Sequence, residues 1–211
     1  MNPALPRVIL VATRNAGKLR ELRPILADAG LEGMLLTEAG IPESPEEDDL
    51  ECHETLEENA LAKARWFHSL SGMPAMADDS GLFVAALGGA PGVWSKRYSG
   101  RADLSGHDLD DANNAKLQRE LLSHSNRSAQ FSCAAAYVDE RMSVVSMGET
   151  SGVIVAEARG SHGFGYDAYF LSAELGRTFG EASVAEKQPV SHRGRAFRAL
   201  VAALRERGGA L

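Results

Sequence analysis

The chain has 211 residues, of which 44% are hydrophobic and 24% charged, enough for a substantial core in one domain or two closely packed lobes. Its formal net charge of −7 argues against a general nucleic-acid binder, which carries a basic surface, but leaves room for a small anionic ligand at a local basic cluster. Two cysteines, Cys52 and Cys133, are too few for a disulfide framework or a Cys-rich zinc site, and no apolar run approaches the ~20 residues of a membrane span. The opening Met1-Asn2-Pro3 lacks the charged and apolar regions of a signal peptide, so a cytoplasmic protein is expected.

Val8 to Ala12 is a short continuous apolar run of the kind a central strand shows, and Leu19, Leu22, Ile25, Leu26 and Ala29 then recur at helical spacing up to Gly30. Between them stands Thr13-Arg14-Asn15-Ala16-Gly17-Lys18. A strand–loop–helix start of this kind aims backbone N–H groups and the positive end of the helix dipole at a ligand, and Lys18 adds a mobile charge. The same residues also suit an ordinary capped turn, and the loop is not a Walker A motif. Pro24 inside the helix pattern should kink or locally break it.

Residues 38 to 54 are rich in acids and proline and read mostly as solvated loop, with the run Glu46-Glu47-Asp48-Asp49 at its centre. Thr55-Leu56-Glu57-Glu58 fits a capping box and opens a helix to about Leu70, which places Asn59 and Lys63 on one face. Glu51, just before it, is a candidate metal ligand.

Ala75-Met76-Ala77 reads as the end of a buried strand, followed at once by Asp78-Asp79 and a Ser80-Gly81 turn. Paired carboxylates at a strand end lose several kcal/mol of hydration each when buried, a cost that a divalent cation or a proton-transfer role would offset. Gly88-Gly89-Ala90-Pro91-Gly92 is a loop dense in special-backbone residues, and residues 108 to about 122 read as a helix. Ala129, Phe131, Cys133, Ala135 and Tyr137 alternate as a half-buried strand, and a turn at Asp139-Glu140-Arg141 leads into a second extended run to form a long hairpin. Gly163-Phe164-Gly165-Tyr166-Asp167 flanks an aromatic with glycines, which suits a ring presented to a planar ligand as well as one packed in a core. Lys187, His192 and Arg193 gather donors where Ser191 caps a final helix that ends at Gly208-Gly209. Basic charge there opposes the helix dipole and hints at a bound acceptor.

Taken in order, these motifs resemble the inosine triphosphate pyrophosphatase family, over nearly the whole chain from Val8 to the last helix. Thr13-Arg14-Asn15-Ala16-Gly17-Lys18 is similar to that family's phosphate loop, and Thr55-Leu56-Glu57-Glu58-Asn59-Ala60 with Lys63 to its Thr-Phe-x-Glu-Asn-Ala helix. Ala77-Asp78-Asp79-Ser80-Gly81-Leu82 with Gly88 to Gly92 resembles its catalytic centre, residues 163 to 167 its base-binding loop, and Ser191-His192-Arg193-Gly194 its C-terminal signature. Ala168 stands where the family usually has Pro, and Leu56 where it has Phe.

The resemblance implies one α/β domain spanning 1–211, with a long twisted central mixed sheet flanked by helices and the active site in a cleft between two lobes. It implies Mg²⁺-dependent hydrolysis of ITP, dITP or XTP to the monophosphate and pyrophosphate, which cleanses the nucleotide pool, and a homodimer. By the same resemblance Asp79 is the catalytic proton acceptor, with Glu51 and Asp79 holding the metal and Asp78 tuning Asp79 or helping to hold the metal. Thr13, Arg14, Asn15, Ala16, Gly17, Lys18 and Lys63 would bind the phosphate end, and Ser80 is a further substrate-binding residue. Phe164, Gly165, Tyr166, Asp167, Lys187, His192 and Arg193 would read the base, the last three offering donors to its 6-oxo group. A pyrophosphatase for other modified nucleotides and a catalytically silent nucleotide sensor are the competing readings.

Overall fold

The computed structural model describes residues 7–208; Met1-Asn2-Pro3 and Gly209 lie outside the described residues. Its strands are β1 (Val8–Val11), β2 (Glu32–Leu35), β3 (Ala75–Val84), β4 (Pro91–Gly92), β5 (Ser128–Val138), β6 (Ser143–Ile154) and β7 (Phe170–Ser172). They hydrogen-bond in the order β2-β1-β3-β5-β6-β7, with β4 attached to β3. β1 runs parallel to both β2 and β3, whereas β4 is antiparallel to β3 and β7 to β6. With helices α1 (Ala16–Asp28), α2 (Leu56–Ser71), α3 (Gly106–Glu120), α4 (Val184–Lys187) and α5 (His192–Gly208), this is the expected mixed-sheet α/β architecture. Among the described residues no helix is long and apolar enough to cross a membrane.

The chain forms two compact units, each assembled from separated segments. The first takes in the described residues up to Asp79, then Cys133–Gly148, then those from Arg193 to Gly208; the second takes Ser80–Ser132 and Glu149–His192. Each has its own apolar core. In the first unit Ile9 and Val11 of β1, Leu22, Ile25 and Leu26 of α1, Tyr137 of β5, and Phe197, Leu200 and Leu204 of α5 pack together. The 3.6-residue spacing in α1 supplies one apolar stripe, as the sequence predicts. The second core joins Leu82 and Val84 of β3, Leu117 of α3, and a cluster of Phe131, Phe170 and Phe179 whose neighbouring rings lie 4.6 and 5.1 Å apart.

Four local expectations are corrected. Asp78 and Asp79 do not end a strand: β3 continues through Ser80-Gly81 to Val84, because β4 pairs with Leu82 and Phe83. Gly81 makes this possible, since a Cβ there would stand 2.5 Å from the Gly92 carbonyl oxygen. Pro24 does not break α1; it lies on the exposed side, where water can satisfy the carbonyl it leaves without a donor. The acidic segment is not plain loop but a 3₁₀ helix, Pro45–Glu51, closed by a capping box between Ser44 and Glu47. And β5 is buried on both faces, since the intervening Ala134 and Ala136 are small enough to be covered.

The Gly81 contact is backbone against carbon, with no side chain to swing aside. Gly81→Ala is therefore expected to lower the unfolding free energy by about 1–3 kcal/mol, read from urea unfolding midpoints. An unchanged midpoint would mean that β4 yields freely.

Candidate active site

In the first unit, the turn after β1 is organised by its own side chains. Asn15 caps α1, its Oδ1 accepting from the N–H groups of Gly17 at 2.8 Å and Lys18 at 3.1 Å, while Thr13 Oγ1 accepts from Asn15 N–H. Two of the backbone donors expected to face a ligand are thus already engaged by the cap. Ala16 and Gly17 begin the helix and leave the turn low-walled. The Arg14 guanidinium forms a two-pronged pair with Glu47, at 3.2 and 2.7 Å, and donates to the carbonyls of Ile41 and Pro42. These contacts fasten the acidic 3₁₀ segment to the turn.

Lys18 reaches into the sheet. Its Nζ lies 3.0 Å from Asp78 Oδ2, and Arg193 Nε donates to the same oxygen at 3.1 Å. Arg193 Nη1 in turn donates to Glu21 Oε2 at 2.6 Å, and the Arg193 side chain is only 2% exposed. Arg193, which the resemblance assigns to the base, is held here between Asp78 and Glu21. Glu21 was not anticipated, although an acid four residues before Ile25 on an otherwise apolar helix face is a signal that something basic must meet it.

Asp79 faces different company, because successive strand residues project to opposite faces. Asn59 Nδ2 donates to Asp79 Oδ2 at 2.9 Å while its Oδ1 accepts from His53 N–H. Lys63, one turn along α2, lies 2.5 Å from Glu51 Oε1, donates to the Asp78 carbonyl at 2.5 Å, and approaches Asp79 Oδ1 at 4.0 Å. The structure therefore brings Lys18, Glu51, Lys63 and Asp79 together around Asp78.

The two adjacent carboxyls are driven apart in proton affinity. Burial pushes Asp78 up, but Lys18, Arg193 and Lys63 together outweigh it and hold the group far below the usual carboxylate range. For Asp79 burial wins: it stays raised, with Lys63 opposing and Glu51 reinforcing. Lys63 is kept protonated, the pull of Glu51, Asp79 and Asp78 exceeding its burial penalty. Separated affinities in neighbouring acids mark a permanent anion beside a group suited to moving a proton. Glu51 and Asp79, both at the Lys63 ammonium, are two oxygen donors of the type a hard divalent cation takes. Among the described residues no group of three or more His, Cys, Asp or Glu is placed to hold a metal.

The second unit holds Ser80, which is partly exposed, and the aromatic loop. Asp167 Oδ2 accepts from Phe164 N–H at 3.0 Å and from Lys187 Nζ at 2.7 Å, a buried ion pair. Lys187 Nζ also stands 5.4 Å from the Phe164 ring centroid. Tyr166 is buried, its hydroxyl donating to the Ser95 carbonyl, and Gly165 takes a positive φ of 61°. Phe164 itself is only half-buried, consistent with a presented ring, and His192 stacks on Phe131 at 4.5 Å.

Residues 9–203 match the model of the Ham1 family. A relative from Ralstonia nicotianae named dITP/XTP pyrophosphatase is 46% identical over 94% of this chain and 97% of its own length. One of the same name from Mycobacterium bovis is 47% identical over 96% and 97%. Among solved structures, a HAM1 protein from Coxiella burnetii aligns with a TM-score of 0.80 at 36% identity, covering 95% of this chain and all of the other.

Removing Arg193 takes its ion-pair partner from buried Glu21 and one of two close cations from Asp78, so Arg193→Leu is expected to cost about 3–5 kcal/mol at neutral pH. Because the folded Asp78 is held below its unfolded value, its contribution is full above about pH 4 and is lost as the pH falls further. The stability gap between wild type and variant should consequently narrow in acid, which urea unfolding between neutral and acidic pH measures.

Proposed function

The chain belongs to the Ham1 family, and from that premise we propose that it is a nucleoside triphosphate pyrophosphatase. It hydrolyses the non-canonical purine nucleotides dITP, ITP and XTP to monophosphate and pyrophosphate, and so cleanses the nucleotide pool. The observation that carries the reading is the placement of the adjacent acids Asp78 and Asp79: Asp78 is paired with Lys18 and Arg193, while Asp79 is held by Asn59 beside Lys63 and Glu51.

Asp79 accepts the proton of the attacking water. Asn59 fixes its orientation, and without a bound metal burial raises its proton affinity. Lys18 and Lys63 take up triphosphate charge, and the low-walled turn at Ala16-Gly17 lets the phosphates approach them. Glu51 and Asp79 would hold Mg²⁺. Two carboxylates suit an ion that completes its shell with water and substrate phosphate, and when bound it supplies charge neutralisation at the phosphoryl oxygens.

Phe164 stacks on the purine, while Lys187 and His192 offer donors to the 6-oxo group. Adenine would turn a 6-amino donor toward those donors, a mismatch that leaves polar groups unpaired and gives strong rejection. Arg193 serves the reaction from the other end, by holding Asp78. Mg²⁺, a cytoplasmic location and a homodimer are carried by the family resemblance.

The deciding experiment is pyrophosphate release from dITP, XTP, dGTP and dATP, each with and without Mg²⁺. Fast Mg²⁺-dependent cleavage of the first two and slow cleavage of the others is expected; activity confined to another modified nucleotide, or tight binding without turnover, would overturn the assignment. Asp79→Asn is expected to lower kcat at least about 10²-fold. The same change should leave the thermal midpoint at neutral pH equal or higher. A raised folded affinity means that the ionised acid opposes folding above that value, and the amide removes the penalty.

A further inference from the structure

Helix α3 takes hold of the aromatic loop at Gly165. Asp110 Oδ2 accepts from Gly165 N–H at 2.8 Å, and Asn114 Nδ2 donates to the Gly165 carbonyl at 2.9 Å. The two side chains are four residues apart and so share one helix face, which lets them close on both polar groups of one residue in a distant loop. On the other side of Phe164, Gly163 also has a positive φ, and a Cβ there would stand 2.1 Å from Asp167 Oδ2. Phe164 is thus bracketed, by Asp167 on one flank and by α3 on the other.

Asn114 is almost fully buried, and its Oδ1 has no hydrogen-bond partner among the described residues. Burying an unmatched amide oxygen costs about 1–3 kcal/mol, and Asn113-Asn114 is a poor pair for a helix interior. Asn113 has its own task, accepting from Ser99 N–H and donating to the Lys96 carbonyl. The task left for Asn114 is Gly165.

We infer that Asp110 and Asn114 are positioning residues for base recognition: by gripping Gly165 from both sides they set the pose of the Phe164 ring before the nucleotide arrives. This rests on the reading of Phe164 as the base-stacking ring. Fixing the ring in advance spares its ordering on binding, so the effect falls on affinity for base-bearing ligands and not on the proton chemistry or the phosphate contacts.

The test compares wild type with Asp110→Ala, Asn114→Leu, Asp110→Asn and Phe164→Ala. Each is measured by calorimetry with inosine monophosphate and with inorganic tripolyphosphate, and by dITP kinetics. Asp110→Ala and Asn114→Leu are expected to raise the Kd for the monophosphate and the KM for dITP about tenfold, with kcat and tripolyphosphate affinity within about twofold of wild type. Asp110→Asn keeps an oxygen acceptor and should restore most of the loss. Wild-type monophosphate affinity in folded Asp110→Ala and Asn114→Leu, with Phe164→Ala weakened, overturns the positioning role alone. Equal losses for tripolyphosphate and monophosphate overturn it as general damage. Wild-type binding by Phe164→Ala overturns the base-stacking reading beneath it. Asp110 is half-exposed, so its alanine variant decides the matter even should Asn114→Leu fail to fold.

Discussion

A carboxylate in the middle of a buried strand is the constraint on which the first unit depends. Asp78 is 2% exposed and ionised, an arrangement that costs several kcal/mol in lost hydration unless cations stand against it. The cations come from far apart in the chain: Lys18 from the start of α1 and Arg193 from the start of α5. Arg193 then requires an acid of its own, which Glu21 provides. One buried charge in this way dictates where three segments must meet, two acids and two cations balancing one another, with Lys63, Glu51 and Asp79 alongside.

The arrangement gives two chemically identical neighbours opposite characters. Strand alternation sends Asp78 toward Lys18 and Arg193 and Asp79 toward Asn59 and Lys63. Asp78 holds a fixed negative charge. Asp79 is left under-compensated. The residues that keep them distinct are themselves doubly engaged: Lys63 joins the metal-candidate Glu51 to the backbone of Asp78, and Asn59 joins Asp79 to the entry of α2. The capping threonine ahead of α2 and the four-residue spacing within it are therefore part of the chemistry, because they set the helix phase that aims both side chains.

Local patterns were readable where local physics decides them. Thr55 as a cap, the apolar stripe of α1, the hairpin around Asp139 and the shared face of Asn59 and Lys63 all follow from short-range rules, and the order of motifs was sufficient for the family. What could not be read was the destination of long side chains. Arg193 follows His192 in the motif, and nothing local points to its partners Asp78 and Glu21, more than a hundred residues away in sequence. Arg14 sat inside a phosphate-loop pattern, and its planar fork found a carboxylate and two carbonyls across the acidic segment. The strand through Ser80-Gly81 was hidden for the same reason: Ser-Gly favours a turn in isolation, and only the close backbone of Gly92 makes it a strand.

The interleaving of the two units bears on how the protein is made. Synthesis delivers β1, α1 and β3 early, but the side chains that seal their core, Phe197, Leu200 and Leu204, sit on α5, the last element described. Until α5 is released from the ribosome the apolar face of α1 has no lid, and Asp78 lacks the guanidinium that neutralises it. The nascent chain must therefore wait with its first unit unsealed while the second is translated, a period in which exposed strand edges and apolar surface favour association with other chains or with chaperones. The Asp78 cluster is completed last, so that a prematurely terminated polypeptide lacking α5 carries the motif at residues 77–82 without the guanidinium that faces it.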